Sequence, residues 1–236
     1  MADELPDQVG VDGEADLLAV DGDVEDDAVA LGLGPRAHLE PAHQGDQVGL
    51  VAVDGDLLGL HAREVEDLVR QTTSLLNGRP LEIKGPAKQI AFNAIPHIDV
   101  FLENRYTKEE MKMVWETRKI LCDDEILVNP TAVRIPVFYG HSEAVHLETR
   151  DKITAAEVVK LLHKAPGVEV LDGVETGLYP TAVTESSGAD PVFVGRIRED
   201  ISHPRGIDLW IVADNIRKGA ALNSVQIAEK LAKNYL

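Results

Sequence analysis

The sequence predicts an α+β domain in which helices pack on one face of a mixed or antiparallel sheet, preceded by an acidic, poorly ordered N-terminal segment. Three observations support this prediction. Amphipathic helical patterns alternate with β-rich runs after residue 62, capping boxes mark two helix starts, and most of the net negative charge lies in residues 1–62. We therefore divide the chain into residues 1–62 and residues 63–236.

The composition excludes several classes of protein. The 236 residues carry a formal net charge of −18, which disfavours nucleic acid and anionic membranes because their phosphates would be repelled. No apolar run approaches the roughly 18 residues of a membrane span, and the N-terminus does not show a basic region followed by an apolar stretch. A single cysteine, Cys122, excludes an internal disulfide and a multi-thiolate metal site. We expect a cytoplasmic protein without a metal.

The N-terminal segment is rich in Asp, Gly and Val. It has fifteen Asp and Glu against one basic residue, Arg36, and it has no aromatic residue, so any core would be thin. Alternation of Val48, Leu50 and Val53 next to Asp-Gly turns leaves short hairpins as an alternative. A calcium site at residues 21–25 is a further alternative, which the incomplete loop pattern disfavours.

Three helices are predicted in the first part of the second region. Apolar residues at helical spacing follow Glu64, and Gly78 supplies a stop about fourteen residues later. Thr107 and Thr154 each precede a glutamate by three residues, which is the capping-box pattern. Apolar stripes follow both capping boxes, so each marks the start of an amphipathic helix.

Strands and a fourth helix complete the domain. Runs rich in β-branched and aromatic residues predict strands. They cover residues 132–139, 143–148, 191–197 and 207–213. The fourth helix is predicted over residues 217–232, with Leu222, Val225 and Leu231 expected to be buried.

Two polar residues in the segment 134–143 could carry chemistry. Arg134 offers a planar fork that can hold a carboxylate, and His141 can transfer protons near neutral pH. Gly140 permits a sharp turn directly before the histidine. On residue chemistry alone, however, such a pair is more often two ordinary surface residues.

The same segment resembles the block that bears the substrate-binding arginine and the catalytic histidine in aspartate-semialdehyde dehydrogenases. The similarity extends over residues 89–99, 108–121 and 214–223, so four ordered blocks lie within the last 170 residues or so. The resemblance implies NADPH-dependent conversion of aspartyl 4-phosphate to aspartate 4-semialdehyde through a cysteine thioester. It also implies a homodimer and a place in lysine, threonine and methionine biosynthesis.

The resemblance assigns five site residues. His141 would be the acid/base that activates the thiol, and Arg134 would bind the substrate carboxylate. Glu109 and Lys112 match helix positions that contact substrate, with Lys112 suited to the phosphate, although an exposed ion pair is the plainer interpretation. Asn215 matches a position that contacts NADP, and it could equally be the N-cap of the last helix.

Two features of the family are not recognisable. The G-x-G at residues 31–36 runs into Pro35 and follows no strand, so it does not predict the cofactor-binding half. Cys122 is followed by two acids at a helix C-terminus, where a thiolate is disfavoured, so a buried or incidental thiol is the preferred interpretation. We expect an incomplete family member that is inactive alone, for which a frameshift or a wrong start is one explanation. A non-catalytic dimerising domain is the alternative.

Overall fold

The computed structural model describes residues 47–54, 62–83 and 88–235. The calcium alternative at residues 21–25 and the G-x-G at residues 31–36 lie outside the described residues. Within the described ranges, no helix is long and apolar enough to cross a membrane. The same ranges contain no group of three or more His, Cys, Asp or Glu side chains arranged to hold a metal ion.

A six-stranded mixed sheet forms the centre of the structure. Its strands are β1 (Gln47–Asp54), β2 (Leu127–Arg134), β3 (His141–Glu148), β4 (Val168–Val170), β5 (Val192–Glu199) and β6 (Gly206–Ala213). Their spatial order is β2-β1-β3-β6-β5-β4. The β1/β2 and β4/β5 pairs are parallel and the other pairs are antiparallel. The prediction of an α+β fold with a mixed sheet is therefore confirmed.

The strand bounds differ most from prediction at β2. The predicted run was 132–139, whereas the strand begins at Leu127 and ends at Arg134. Pro136 follows closely and lacks an N–H for the ladder, and the chain turns there with Val137 N–H donating to Ile135 O at 2.9 Å. The strand β1 lies within the acidic segment, where alternation suggested short strands.

Four α-helices in the described part of the chain accompany the sheet: α1 (Ala62–Leu76), α2 (Lys108–Leu121), α3 (Ala155–Leu162) and α4 (Leu222–Tyr235). Both capping boxes are formed: the Thr107 hydroxyl accepts from Glu110 N–H at 3.2 Å, and the Glu110 carboxylate accepts from Thr107 N–H at 2.7 Å. The same reciprocal pair joins Thr154 and Glu157 at the start of α3. Local sequence therefore determines where these two helices begin.

The packed core lies on one face of the sheet. Val145, Ile207 and Leu209 are buried there, and α3 covers them. The helix α2 packs on β2, where Ala132 is 1% exposed. Strand alternation and the register through β1 put Ala132 and Val145 on the same face. The two helices thus share one face, as predicted.

The C-terminal helix differs from prediction. A π-helical turn (Arg217–Ala221) comes first, and α4 starts at Leu222. Leu222 is half-buried, but Val225 and Leu231 are 53% and 42% exposed, so their predicted burial is wrong. The reason is that, within the described residues, α4 makes little contact with the sheet.

Candidate active site

The two residues singled out by the sequence lie at one end of the sheet. Arg134 ends β2, His141 begins β3, and both pair with the backbone of Asp54 in the strand between them. Neighbouring strands are about 4.8 Å apart, so the two Cα atoms are separated by roughly 10 Å. Their register places both side chains on the face of Ala132 and Val145, which is the face that carries α2 and α3. The structure thus brings Arg134 and His141 together.

The backbone of Arg134 is held by a loop that precedes α2. Ile95 N–H donates to Arg134 O at 2.9 Å, and Arg134 N–H donates to Ile95 O at 2.8 Å. The side chain is half-buried, with its Nη1 atom out of contact with solvent. Because both backbone groups are bonded to the loop, the position from which the guanidinium extends is fixed.

His141 follows a constrained glycine. Gly140 is buried, has φ of +79°, and donates its N–H to Asn215 Oδ1 at 3.0 Å. Asn215 is itself buried and follows the end of β6, the strand whose Ala213 pairs with His141. Asn215 therefore lies next to the backbone that carries His141.

The capping role considered for Asn215 belongs to its neighbour. Asp214 accepts from Ile216 N–H at 2.9 Å and from Arg217 N–H at 2.8 Å, at the start of the C-terminal turn. Its other oxygen accepts from Gly188 N–H at 2.7 Å. Burial is the largest single influence on the pKa of Asp214 and raises it, but the three backbone bonds together hold that pKa below its usual value. The N-cap interpretation of Asn215 is therefore wrong.

Glu109 and Lys112 form an ion pair on the first turns of α2. The Lys112 ammonium lies 3.1 Å from the Glu109 carboxylate, and both side chains are partly exposed. Burial, the largest single influence, lowers the pKa of Lys112, but the hydrogen bond to Glu109 and the charges of Glu109, Glu116 and Asp99 raise it overall. Lys112 therefore stays cationic at neutral pH, as a phosphate-binding role requires.

A buried carboxylate that the sequence predicted only as a helix cap joins α2 to the strand that carries Arg134. Glu110 Oε1 accepts from Ala132 N–H at 2.9 Å, while its Oε2 makes the capping bond. Ala132 lies two residues before Arg134, so the start of α2 is held against the same end of β2. The capping box was the sequence signal for Glu110, and it does not reveal the second bond.

Cys122 lies far from this arrangement. It is exposed and ends α2 in the left-handed conformation, with φ of 51°. Thirteen residues of helix separate it from Glu109, which corresponds to about 20 Å at 1.5 Å per residue. One interpretation of the sequence was a buried thiol, but the Cys122 thiol is exposed. It lies at the opposite end of α2 from the Glu109–Lys112 pair.

An open cavity of about 450 Å³ lies elsewhere on the sheet. Tyr179, Trp210, Arg196 and Arg198 are among its lining residues. The five predicted site residues do not line it. The candidate site is consequently defined by the end of the sheet and not by this cavity.

Comparison with known proteins identifies the family. Residues 59–218 match the model of the semialdehyde dehydrogenase dimerisation domain. The chain is 58% identical over 202 residues to an aspartate-semialdehyde dehydrogenase of Legionella pneumophila, covering 84% of this chain and 58% of that relative.

Solved structures agree. Aspartate semialdehyde dehydrogenase II of Vibrio cholerae, complexed with ASA, is 52% identical with a TM-score of 0.75, covering 80% of this chain and 55% of that one. A Candida albicans enzyme solved with NADP is 22% identical with a TM-score of 0.56, covering 79% and 50%, and it shows the fold alone.

These matches cover most of the described structure, including both strands that carry Arg134 and His141. This chain spans a little over half the length of the curated relatives that it matches. Since the family model covers residues 59–218, the chain belongs to the semialdehyde dehydrogenase family through its dimerisation domain.

Proposed function

We propose that this chain supplies the acid/base and anion-binding elements of an aspartate-semialdehyde dehydrogenase. The reaction is the NADPH-dependent reduction of aspartyl 4-phosphate to aspartate 4-semialdehyde with release of phosphate, a cytoplasmic step towards lysine, threonine and methionine. One observation carries the proposal: Arg134 and His141 flank the same backbone position of β1 on one face of the sheet. Relatives of 58% and 60% identity are aspartate-semialdehyde dehydrogenases.

Each residue has a role that its chemistry suits. The Arg134 guanidinium holds the α-carboxylate of the substrate through paired N–H donors. His141 accepts the proton of the attacking thiol and returns a proton later in the reaction. Lys112, oriented by Glu109, neutralises the phosphate that leaves. These groups bind and orient the substrate and move a proton, which is the part of the chemistry this domain offers.

NADP receives one candidate contact from the described residues. Asn215 Oδ1 accepts from Gly140 N–H, so its amide nitrogen is the atom suited to an acceptor on the nicotinamide carboxamide. One amide does not hold a dinucleotide, which needs a cradle of backbone N–H groups for its pyrophosphate. The described residues therefore do not make a nucleotide site by themselves, and no step of hydride transfer is assigned to them.

Substrate binding tests the proposal directly. We expect aspartate semialdehyde to bind the full chain, and Arg134→Met to weaken that binding by roughly tenfold to a hundredfold, because a charged hydrogen bond is worth about 1.5–3 kcal/mol. The matched control is Arg79→Met, an exposed arginine after α1. Titration calorimetry measures both. Equal affinities for the two variants would overturn the role of Arg134.

Turnover provides a second test. We expect no phosphate-dependent reduction of NADP by the purified chain with aspartate semialdehyde, because Cys122 lies at the wrong end of α2 and loss of a covalent nucleophile can reduce turnover on the order of a millionfold. Clear turnover that His141→Gln abolishes would contradict this expectation.

A second candidate function is dimerisation without catalysis. The observation that favours it is the family itself, since the matched family is described as a dimerisation domain. We propose that two copies of this chain form a homodimer. Sedimentation velocity at micromolar concentration measures the mass, and a particle of 25.7 kDa at all concentrations would contradict the proposal.

A further inference from the structure

We infer that Asn215 is a positioning residue for His141, acting through the backbone N–H of Gly140. This inference rests on the proposed role of His141 as the acid/base, and it gives Asn215 a function beyond a contact with the cofactor. It starts from a hydrogen bond between residues 75 positions apart in sequence, 3.0 Å long and buried.

The peptide before His141 is confined on several sides. A Cβ at position 140 would lie 2.9 Å from Ala182 Cβ, 3.1 Å from Ala213 O and 3.1 Å from Ser186 Oγ. Ala182 and Ser186 are the two buried residues of a π-helical turn, and the Ser186 hydroxyl donates to Ala182 O at 2.8 Å. The Gly140 backbone is therefore pressed against this turn and against the end of β6.

Packing alone limits where the peptide can move, but it does not set its rotation. The hydrogen bond to Asn215 sets this rotation, because an N–H donor must point at its acceptor. The orientation of the 139–140 peptide, together with the φ of +79° and the ψ at Gly140, sets the direction in which the chain enters His141. Asn215 thus contributes to the orientation in which the chain enters β3, in addition to the pairing of His141 with β1 and β6.

Asn215 is itself held in place. Asp214 is 5% exposed, and its carboxylate accepts three backbone N–H bonds that tie the turn after β6 to Gly188. The strand before it pairs with β3 through Ala213 and His141. The acceptor atom of Asn215 therefore occupies a fixed place relative to the histidine, as a positioning group requires.

The experiment compares Asn215→Ala, which removes the acceptor, with Asn215→Asp, which keeps an oxygen in its place. Nuclear magnetic resonance of the full chain reads two quantities: hydrogen exchange of the Gly140 amide and the χ1 rotamer populations of His141. The matched control is Asn129→Ala, which removes an exposed side-chain acceptor at the far end of β2. Exchange of Val145 N–H, at the buried centre of β3, reports any general loss of stability.

We expect Asn215→Ala to speed exchange of the Gly140 amide about tenfold more than that of Val145, and to spread His141 over several rotamers. Asn215→Asp should retain slow exchange and one dominant rotamer, because it keeps an acceptor for the Gly140 N–H. Asn129→Ala should match the unmodified chain in both quantities. This pattern would support the inference.

Three results would overturn it. The first is a Gly140 amide in the unmodified chain that exchanges as fast as an exposed amide, a measurement that needs no variant. The second is a His141 rotamer distribution that Asn215→Ala leaves unchanged. The third is equal disturbance by the Ala and Asp variants. Failure of the proposed function would give a different result. Arg134→Met would then leave the affinity for aspartate semialdehyde unchanged, while Asn215→Ala would still alter Gly140 exchange and the His141 rotamers.

Discussion

Replacing Gly140 with alanine tests the close packing behind the candidate catalytic histidine. Two costs follow from the structure. A non-glycine residue at φ of +79° loses about 1–2 kcal/mol, and a methyl group 2.9 Å from Ala182 Cβ and 3.1 Å from the backbone oxygen of Ala213 overpacks the site by about 1–3 kcal/mol. We expect a total loss of about 2–5 kcal/mol in the free energy of unfolding.

Urea unfolding followed by circular dichroism measures this loss. The matched control is Gly167→Ala, because Gly167 has φ of +74° and no neighbouring atom within 4 Å of the place that the alanine methyl group would occupy. It should lose only the backbone cost of about 1–2 kcal/mol. If both variants lose the same free energy, the tight packing behind His141 is refuted.

Three further predictions concern polar groups. Burial, the largest single influence, lowers the pKa of His146, but the hydrogen bond and charge of Asp208 and other nearby carboxylates raise it overall. His146 therefore contributes its full stabilisation at pH values below its unfolded pKa of about 6.5, and this stabilisation is lost as the pH rises through the pKa of the folded state. His146→Gln should thus destabilise the chain more at pH 6 than at pH 9. Glu110→Gln should cost about 1–3 kcal/mol, because both carboxylate oxygens accept backbone N–H bonds and an amide offers one acceptor. Gln71→Leu should cost about 2–4 kcal/mol, because its Oε1 accepts from two buried backbone N–H groups. Urea midpoints measure all three.

Matched variants show what would contradict these expectations. His163→Gln, at an exposed position after α3, is the control for loss of a histidine. If its destabilisation depended on pH in the same way as that of His146→Gln, the proposed contribution of His146 would be contradicted. Glu157→Gln alters a capping box that is exposed, and it should destabilise less than Glu110→Gln. A Gln71→Leu protein with an unchanged midpoint would show that the two N–H groups find other acceptors.

Much of the helical structure could be predicted because its signals are local. Thr107 and Thr154 each lie three residues before a glutamate, and both helices begin where that spacing requires. The strand β2 was placed five residues too late, since apolar alternation continues past Arg134 while Pro136 ends the ladder. The ends of a strand depend on the segments with which it pairs, and those segments cannot be identified from the strand's own residues.

The sequence predicted which residues belong to the candidate site, but it did not predict how they are placed relative to one another in space. Its spatial order depends on β1 lying between the strands that carry Arg134 and His141. Asp54 pairs with residues 80 and 87 positions further along the chain, which periodicity does not reveal. Asp214 and Asn215 are adjacent and both suit an N-cap, so sequence could not decide between them. The five site assignments themselves stay predictions until the binding measurements are made.

The exposed apolar stripe of α4 has a consequence for the order in which the protein opens. No residue of this fourteen-residue helix is buried, and helices of that length are marginal in water without tertiary contacts. Its amide hydrogens should therefore exchange through local fraying within the native state, while those of β3 and β6 should wait for unfolding of the whole sheet. A partner surface that covers Val225 and Leu231 would slow exchange in α4 selectively, so this helix can serve as a natural reporter of assembly.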